Sequence, residues 1–228
     1  MQQRGKTERD RTVGDTTASN ERILFKFIVD RSTASWLFLA LLSMACAKAT
    51  HPTLSGPPTM PSPVRVAFRA QSDSFGPARD EYDAIWRAEG SRIIATMERI
   101  SGLRFDSPPY ADTSIVAVIF EGVSNSGFRD DPMHLRASYP SDTKKATLVH
   151  ELGHRLQVGV ARPGEDEHEV LFLWLYDTWV ALWGRAFADA QVLVERARRG
   201  PYPKAWDAAL ALDSAARAER FRALRTRQ

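Results

Sequence analysis

His150-Glu151-Leu152-Gly153-His154 constrains this 228-residue chain more than any other feature. The segment Ser141 to Val158 has helical spacing, and Thr143 to Val149 contains no Gly or Pro. Positions four apart share one face of a helix, so both imidazoles can reach one metal ion. Leu148, Leu152, Leu156 and Val149 form an apolar stripe beside them, as in a helix packed into a core with its polar groups facing a cleft. Ser141 or Asp142 is placed to cap the helix start. Gly153 inside a helix costs about 1 kcal/mol against Ala, which implies close approach of another element.

Zinc suits neutral imidazole nitrogen and keeps an open position when the protein supplies three ligands. Glu151, directly after the first His, would sit beside that position and take a proton from the activated water. The alternative is a surface helix carrying two solvated histidines.

Thr147 to His154 resembles the active-site helix of the zincin metallopeptidases, particularly compact gluzincin-like ones. The resemblance implies zinc held by His150 and His154, Glu151 as general base, and a third ligand on a following helix. The metzincin pattern does not fit, because Gln157 and Val160 occupy the positions where it needs Gly and His. The implied activity is zinc-dependent hydrolysis of peptide bonds in a peptide or protein substrate. The alternatives are a non-catalytic, metal-stabilised binding module and a hydrolase of non-peptide amides.

Gly159 to Gly164 reads as a turn-forming break, after which Glu165-Asp166-Glu167-His168-Glu169 opens an apolar run through Ala188. Acidic residues in a first turn complement the helix dipole. His168 needs another explanation. It lies on the face that continues through Phe172, Leu175 and Trp179, and it is the leading third ligand, ahead of Glu165, Glu167 and Glu169. A gluzincin pattern would place Glu there. Asp177, in mid-helix, is either a carboxylate orienting a ligand His or the ion-pair partner of Arg155 or Arg185. Tyr176 or Tyr139 could donate to an oxyanion. His134, on an alternating strand, is expected to be exposed and is a minor ligand candidate.

The expected fold is α+β: a small zincin-like core with a short mixed sheet on the motif helix and two further C-terminal helices. Strands are expected at Val64 to Phe68, Ser114 to Phe120 and Met133 to Tyr139, with a helix from Ala78 to Ile100. The Ser114 strand is continuously apolar and β-branched, as a central strand would be. By the resemblance, the Leu135 to Tyr139 strand or the Ile115 strand would carry an extended substrate by strand addition. Phe187 to Arg199 continues the long helix or starts another, and Ala205 to Leu224 reads as one Ala-rich helix. The tryptophans Trp174, Trp179 and Trp183 read as core.

Residues 61–228 form the expected domain, and residues 1–60 a signal-like segment with a linker. Arg31, the apolar run Trp36 to Ala45 and the small residues around Cys46 resemble a secretory signal with a hint of lipoprotein processing. The run is too short for an ordinary membrane span. Export or tethering to a membrane through this segment is expected, and Met60 offers the alternative start of a cytoplasmic protein. With one cysteine, no intrachain disulfide can form. Net charge is +3 overall, and the basic excess lies in residues 1–60 and 191–228 while the middle is acidic. No basic patch accompanies a recognition motif, so nucleic acid is not an expected partner. The Arg-rich C-terminus reads as a solvated helix face.

Overall fold

The computed structural model describes residues 64–106, 113–128 and 130–227. The signal-like segment, Cys46, Met60 and the linker lie outside the described residues. No helix among the described residues is long and apolar enough to cross a membrane.

The architecture is α+β, with a three-stranded sheet and six helices among the described residues. β1 (Arg65–Ala70) leads through a short 3-10 turn into α1 (Gly76–Ser101), which ends where Gly102 takes the left-handed conformation at φ 65°. β2 (Ser114–Phe120) then runs parallel to β1, with Val66 opposite Ile115. β3 (Met133–Arg136) runs parallel to β2, with Ile119 opposite Leu135. The expected mixed sheet is therefore corrected. A helical crossover makes β1 and β2 parallel, and segment 121–132 carries the chain back along the sheet before β3.

That segment does more than connect. Asn125 and His134 exchange backbone hydrogen bonds of 3.0 and 2.8 Å in an antiparallel bridge, and the Arg136 N–H donates to Ser124 Oγ at 3.1 Å. The outer edge of β3 is thus already paired. β2 is the central strand, so the Ile115 strand offers no free edge for strand addition. Arg155, nearly fully buried, pins the same segment by donating to the carbonyls of Ser126 at 2.7 Å and Asp131 at 2.6 Å.

The motif helix, α2 (Ser141–Leu156), follows β3. Its N-cap is Pro140, which offers no side-chain bond, so neither Ser141 nor Asp142 serves as the cap. Leu148, Val149 and Leu152 are fully buried and Leu156 nearly so. α3 (Glu167–Trp183) packs across α2 at Gly153, where an added Cβ would stand 2.6 Å from Leu171 Cδ1 and 3.2 Å from Trp174 Cη2. The close approach inferred from Gly153 is present.

The apolar run to Ala188 is not one helix. Gly184, at φ 87°, ends α3 and starts α4 (Arg185–Arg196). The Ala-rich segment also divides, into α5 (Tyr202–Leu210) and α6 (Ser214–Arg225), because the Asp213 side chain caps α6 by accepting from Ala216 N at 2.8 Å. Four helices, rather than two, therefore follow the motif helix. Trp174 and Trp179 are core, and Trp183 lies partly buried against it. The Arg-rich C-terminus is not wholly solvated. Arg217 is only 5% exposed and holds Asp177 through two hydrogen bonds, of 2.8 and 3.0 Å.

Candidate metal centre

α2 and α3 bring three histidines together. One ring nitrogen from each of His150, His154 and His168 lies within 4.8 Å of the others. His150 is buried, and the other two are partly open. The Nε2 atoms of His150 and His154 are 3.2 Å apart. Two nitrogens each about 2.0–2.1 Å from one zinc in tetrahedral geometry stand roughly 3.3–3.4 Å apart. The pair thus has the spacing a shared metal requires.

Each imidazole turns its Nδ1 towards a carboxylate. His150 Nδ1 lies 2.8 Å from Glu195 Oε1, on α4. His154 Nδ1 lies 3.3 Å from Glu167 Oε2, at the start of α3. His168 Nδ1 lies 3.3 Å from Asp166 Oδ1. Asp166 is also the N-cap of α3, accepting from His168 N at 2.9 Å. One aspartate therefore starts the helix and faces the ring of its second residue. Carboxylates only accept, so the Nδ1–Asp166 hydrogen bond favours a proton on Nδ1 and a lone pair on Nε2 of His168, whereas the carboxylates beside His150 and His154 lie close to Nδ1 without the alignment of a hydrogen bond. The two Nε2 atoms, 3.2 Å apart, need either a shared proton or a metal ion between them.

Electrostatics agree with this assignment. Burial pushes the His168 imidazole down to about 4, and His150 and His154 add to the push against the pull of Asp166. It is neutral at pH 7, the form that binds metal. Burial works to raise the Glu195 carboxyl, but His150, Arg198 and the Trp206 N–H, which donates at 2.9 Å, hold it below the usual range. His154 does the same for Glu167.

Glu151 is 3% exposed and accepts no hydrogen bond from the described residues. Burial pushes its carboxyl up to about 7; His154 and Arg198 pull it down, and Glu195 adds to the rise. A carboxylate so placed is well matched to proton transfer near neutral pH.

Gln157, also buried, locks the two helices in register. Its Nε2 donates to the Glu167 carbonyl at 2.9 Å and its Oε1 accepts from Trp174 Nε1 at 3.2 Å. A cavity of about 290 Å³ opens beside His154, lined among others by Ser126, Gly127, Phe128, Val158 and Glu167. The loop pinned by Arg155 therefore forms one wall of the cleft.

No family model, no curated protein and no solved structure matches this chain.

Several expected residues stand elsewhere. Glu165 pairs with Arg227, and Glu169 with Lys204, so neither joins the three histidines. Glu167 faces the far side of His154. Asp177 is bound to Arg217 rather than to a histidine, Arg155 or Arg185. The Tyr176 hydroxyl donates to Asp189 at 2.7 Å, and Tyr139 packs by Arg198. His134 is half-buried, its ring edge-on to Phe120 at 5.3 Å, and is no member of the cluster.

Three residues escaped the sequence reading. Glu195 shares the buried stripe of α4 with Ala188, Gln191 and Val192, and a carboxylate at that spacing was a usable signal. Tyr202, at the start of α5, stacks near the cluster, with its ring centroid 4.5 Å from that of His168 and 6.0 Å from that of His150. Arg198 lies over Tyr202 at 5.4 Å. Nothing local marks either one, because the turn between α4 and α5 delivers them.

Proposed function

We propose that this chain is a zinc-dependent hydrolase of peptide bonds, with a zincin-like core in which His150, His154 and His168 hold the metal. The observation that carries the reading is the convergence of one ring nitrogen from each of the three histidines within 4.8 Å, with a carboxylate close behind each ring. Imidazole donors with one position left open suit zinc. When bound, zinc supplies Lewis acidity that polarises a carbonyl and acidifies a water.

The chain's own residues supply the rest. Glu195, Glu167 and Asp166 orient the rings. Glu151, with no competing hydrogen bond, takes the proton of the attacking water and returns it to the leaving amine. The cavity beside His154, with Phe128 and Val158 as well as Ser126 and Glu167 on its wall, takes a substrate side chain.

Zinc analysis tests this directly. One equivalent per chain is expected for wild type, with loss in His150→Ala and His168→Ala. Glu151→Gln should retain zinc while hydrolysis of a quenched peptide library falls about 10²–10⁴-fold. Wild-type protein without stoichiometric zinc, or unchanged hydrolysis by Glu151→Gln, overturns the reading.

A further inference from the structure

Arg198 is a cation beside the site, near enough to Glu195 and Glu151 to act on both carboxyls. Its guanidinium lies 5.7 Å from the ring centroid of Tyr139 and 5.4 Å from that of Tyr202. Its Nη2 donates to the Tyr139 hydroxyl at 3.4 Å. Among the described residues, no carboxylate oxygen lies within the 4.0 Å of an ion pair. Arg196, just before it in the chain, pairs instead with Asp207.

The position is built rather than incidental. Tyr139 comes from the turn before α2, Tyr202 from the first residue of α5, and Arg198 from the turn after α4. Two rings fix the plane of a half-buried guanidinium, so little side-chain entropy remains to be lost on binding. Tyr202 touches both Arg198 and His168, which puts the cation one ring away from the three histidines. Burial works against the charge, but Glu195 and the two tyrosines outweigh it and hold the guanidinium protonated.

We propose that Arg198 binds a carboxylate of the substrate, so that the site prefers peptides with a carboxylate close to the scissile bond. Tyr139 and Tyr202 each take a hydrogen bond from the guanidinium, and the remaining donors of its planar fork suit a carboxylate. The carboxylate is a free C-terminus or an acidic side chain. This rests on the zinc reading above.

The test uses zinc-loaded full-length protein and hydroxamate probes, which anchor on the metal whether or not the protein turns over. One pair is a hydroxamate-capped Leu-Phe with a free C-terminal carboxylate against its C-terminal amide. The other is hydroxamate-capped Leu-Glu-amide against Leu-Gln-amide. Calorimetry should show at least about tenfold tighter binding of the carboxylate member in one pair, and the pair that shows it names the source. Arg198→Met should erase that preference, and Arg198→Lys should keep part of it, with thermal melting showing that both variants fold. Equal affinities within both pairs for wild type, or a preference that persists undiminished in Arg198→Met, overturn the proposal alone. Wild-type protein that holds no zinc overturns the metal centre and this proposal together.

Discussion

Oε1 of Glu195 lies 2.8 Å from Nδ1 of His150, and both residues are almost completely buried. A carboxylate on α4 thus reaches the motif helix from a part of the chain remote from the motif. Its second oxygen is held by Trp206 Nε1 at 2.9 Å, so Glu195 is fixed before any metal arrives.

The consequence is measurable in metal affinity. Carboxylates behind a ligand His are worth about 10–100-fold in binding. Glu195→Gln should weaken zinc affinity by that factor in a chelator competition while the circular dichroism spectrum stays unchanged. Unaltered affinity would mean that Glu195 serves only the packing of α4.

Gly153→Ala sets two effects against each other. Helix propensity favours Ala by about 1 kcal/mol. The new methyl group, however, would stand 2.6 Å from Leu171 Cδ1 and 3.2 Å from Trp174 Cη2, both on completely or almost completely buried side chains. Overpacking of this kind costs about 1–3 kcal/mol. The clash wins, and urea unfolding should show a net loss of about 1 kcal/mol. A gain in stability would place Leu171 in a looser setting than its burial indicates.

The contrast between what could and could not be read from the chain has a physical basis. β2 and α2 were legible because their signals are local: β-branched residues in a run, and two histidines on one helical face. His168 was legible as a candidate because a histidine on an apolar stripe needs a reason. Gly184 was not, since a lone Gly is tolerated within a helical pattern and only its φ of 87° marks the break. Asp213 did carry a signal, as a capping residue, but the Ala-rich sequence around it masked the boundary. Glu195, Arg198 and Tyr202 come to the site through the turn from α4 to α5, and periodicity says nothing about where a turn points.

Glu89 makes stability depend on acid. Burial pushes its carboxyl up, but the Trp183 N–H, donating at 2.7 Å, together with Lys145 at 3.1 Å and Arg92, outweighs this and holds it below the usual Glu range. A depressed folded-state pKa gives stability that is present above the unfolded value, near 4.3, and is lost as pH falls through the lower folded value. Urea midpoints of wild type and Glu89→Gln should therefore differ at pH 7 and converge only as pH falls through the lowered folded-state value. A constant difference across that range would assign the effect to the Trp183 contact rather than to charge.

Asp177 and Arg217 separate stability from metal binding. The pair joins α3 to α6, and Arg217 also donates to the Leu212 carbonyl at 2.6 Å, so the guanidinium ties the α5–α6 turn to the core helix. Removing one partner of a fully buried pair costs about 3–5 kcal/mol. Asp177→Ala strands the Arg217 guanidinium, whose side chain is 6% exposed, so it should cost about 3 kcal/mol in urea unfolding. Arg217→Met, which leaves the less buried partner behind, should cost less. Neither variant touches the three histidines, so zinc affinity should remain at the wild-type value in the folded protein. A fall in affinity for Asp177→Ala, with the fold intact, would return Asp177 to the role of orienting a ligand histidine.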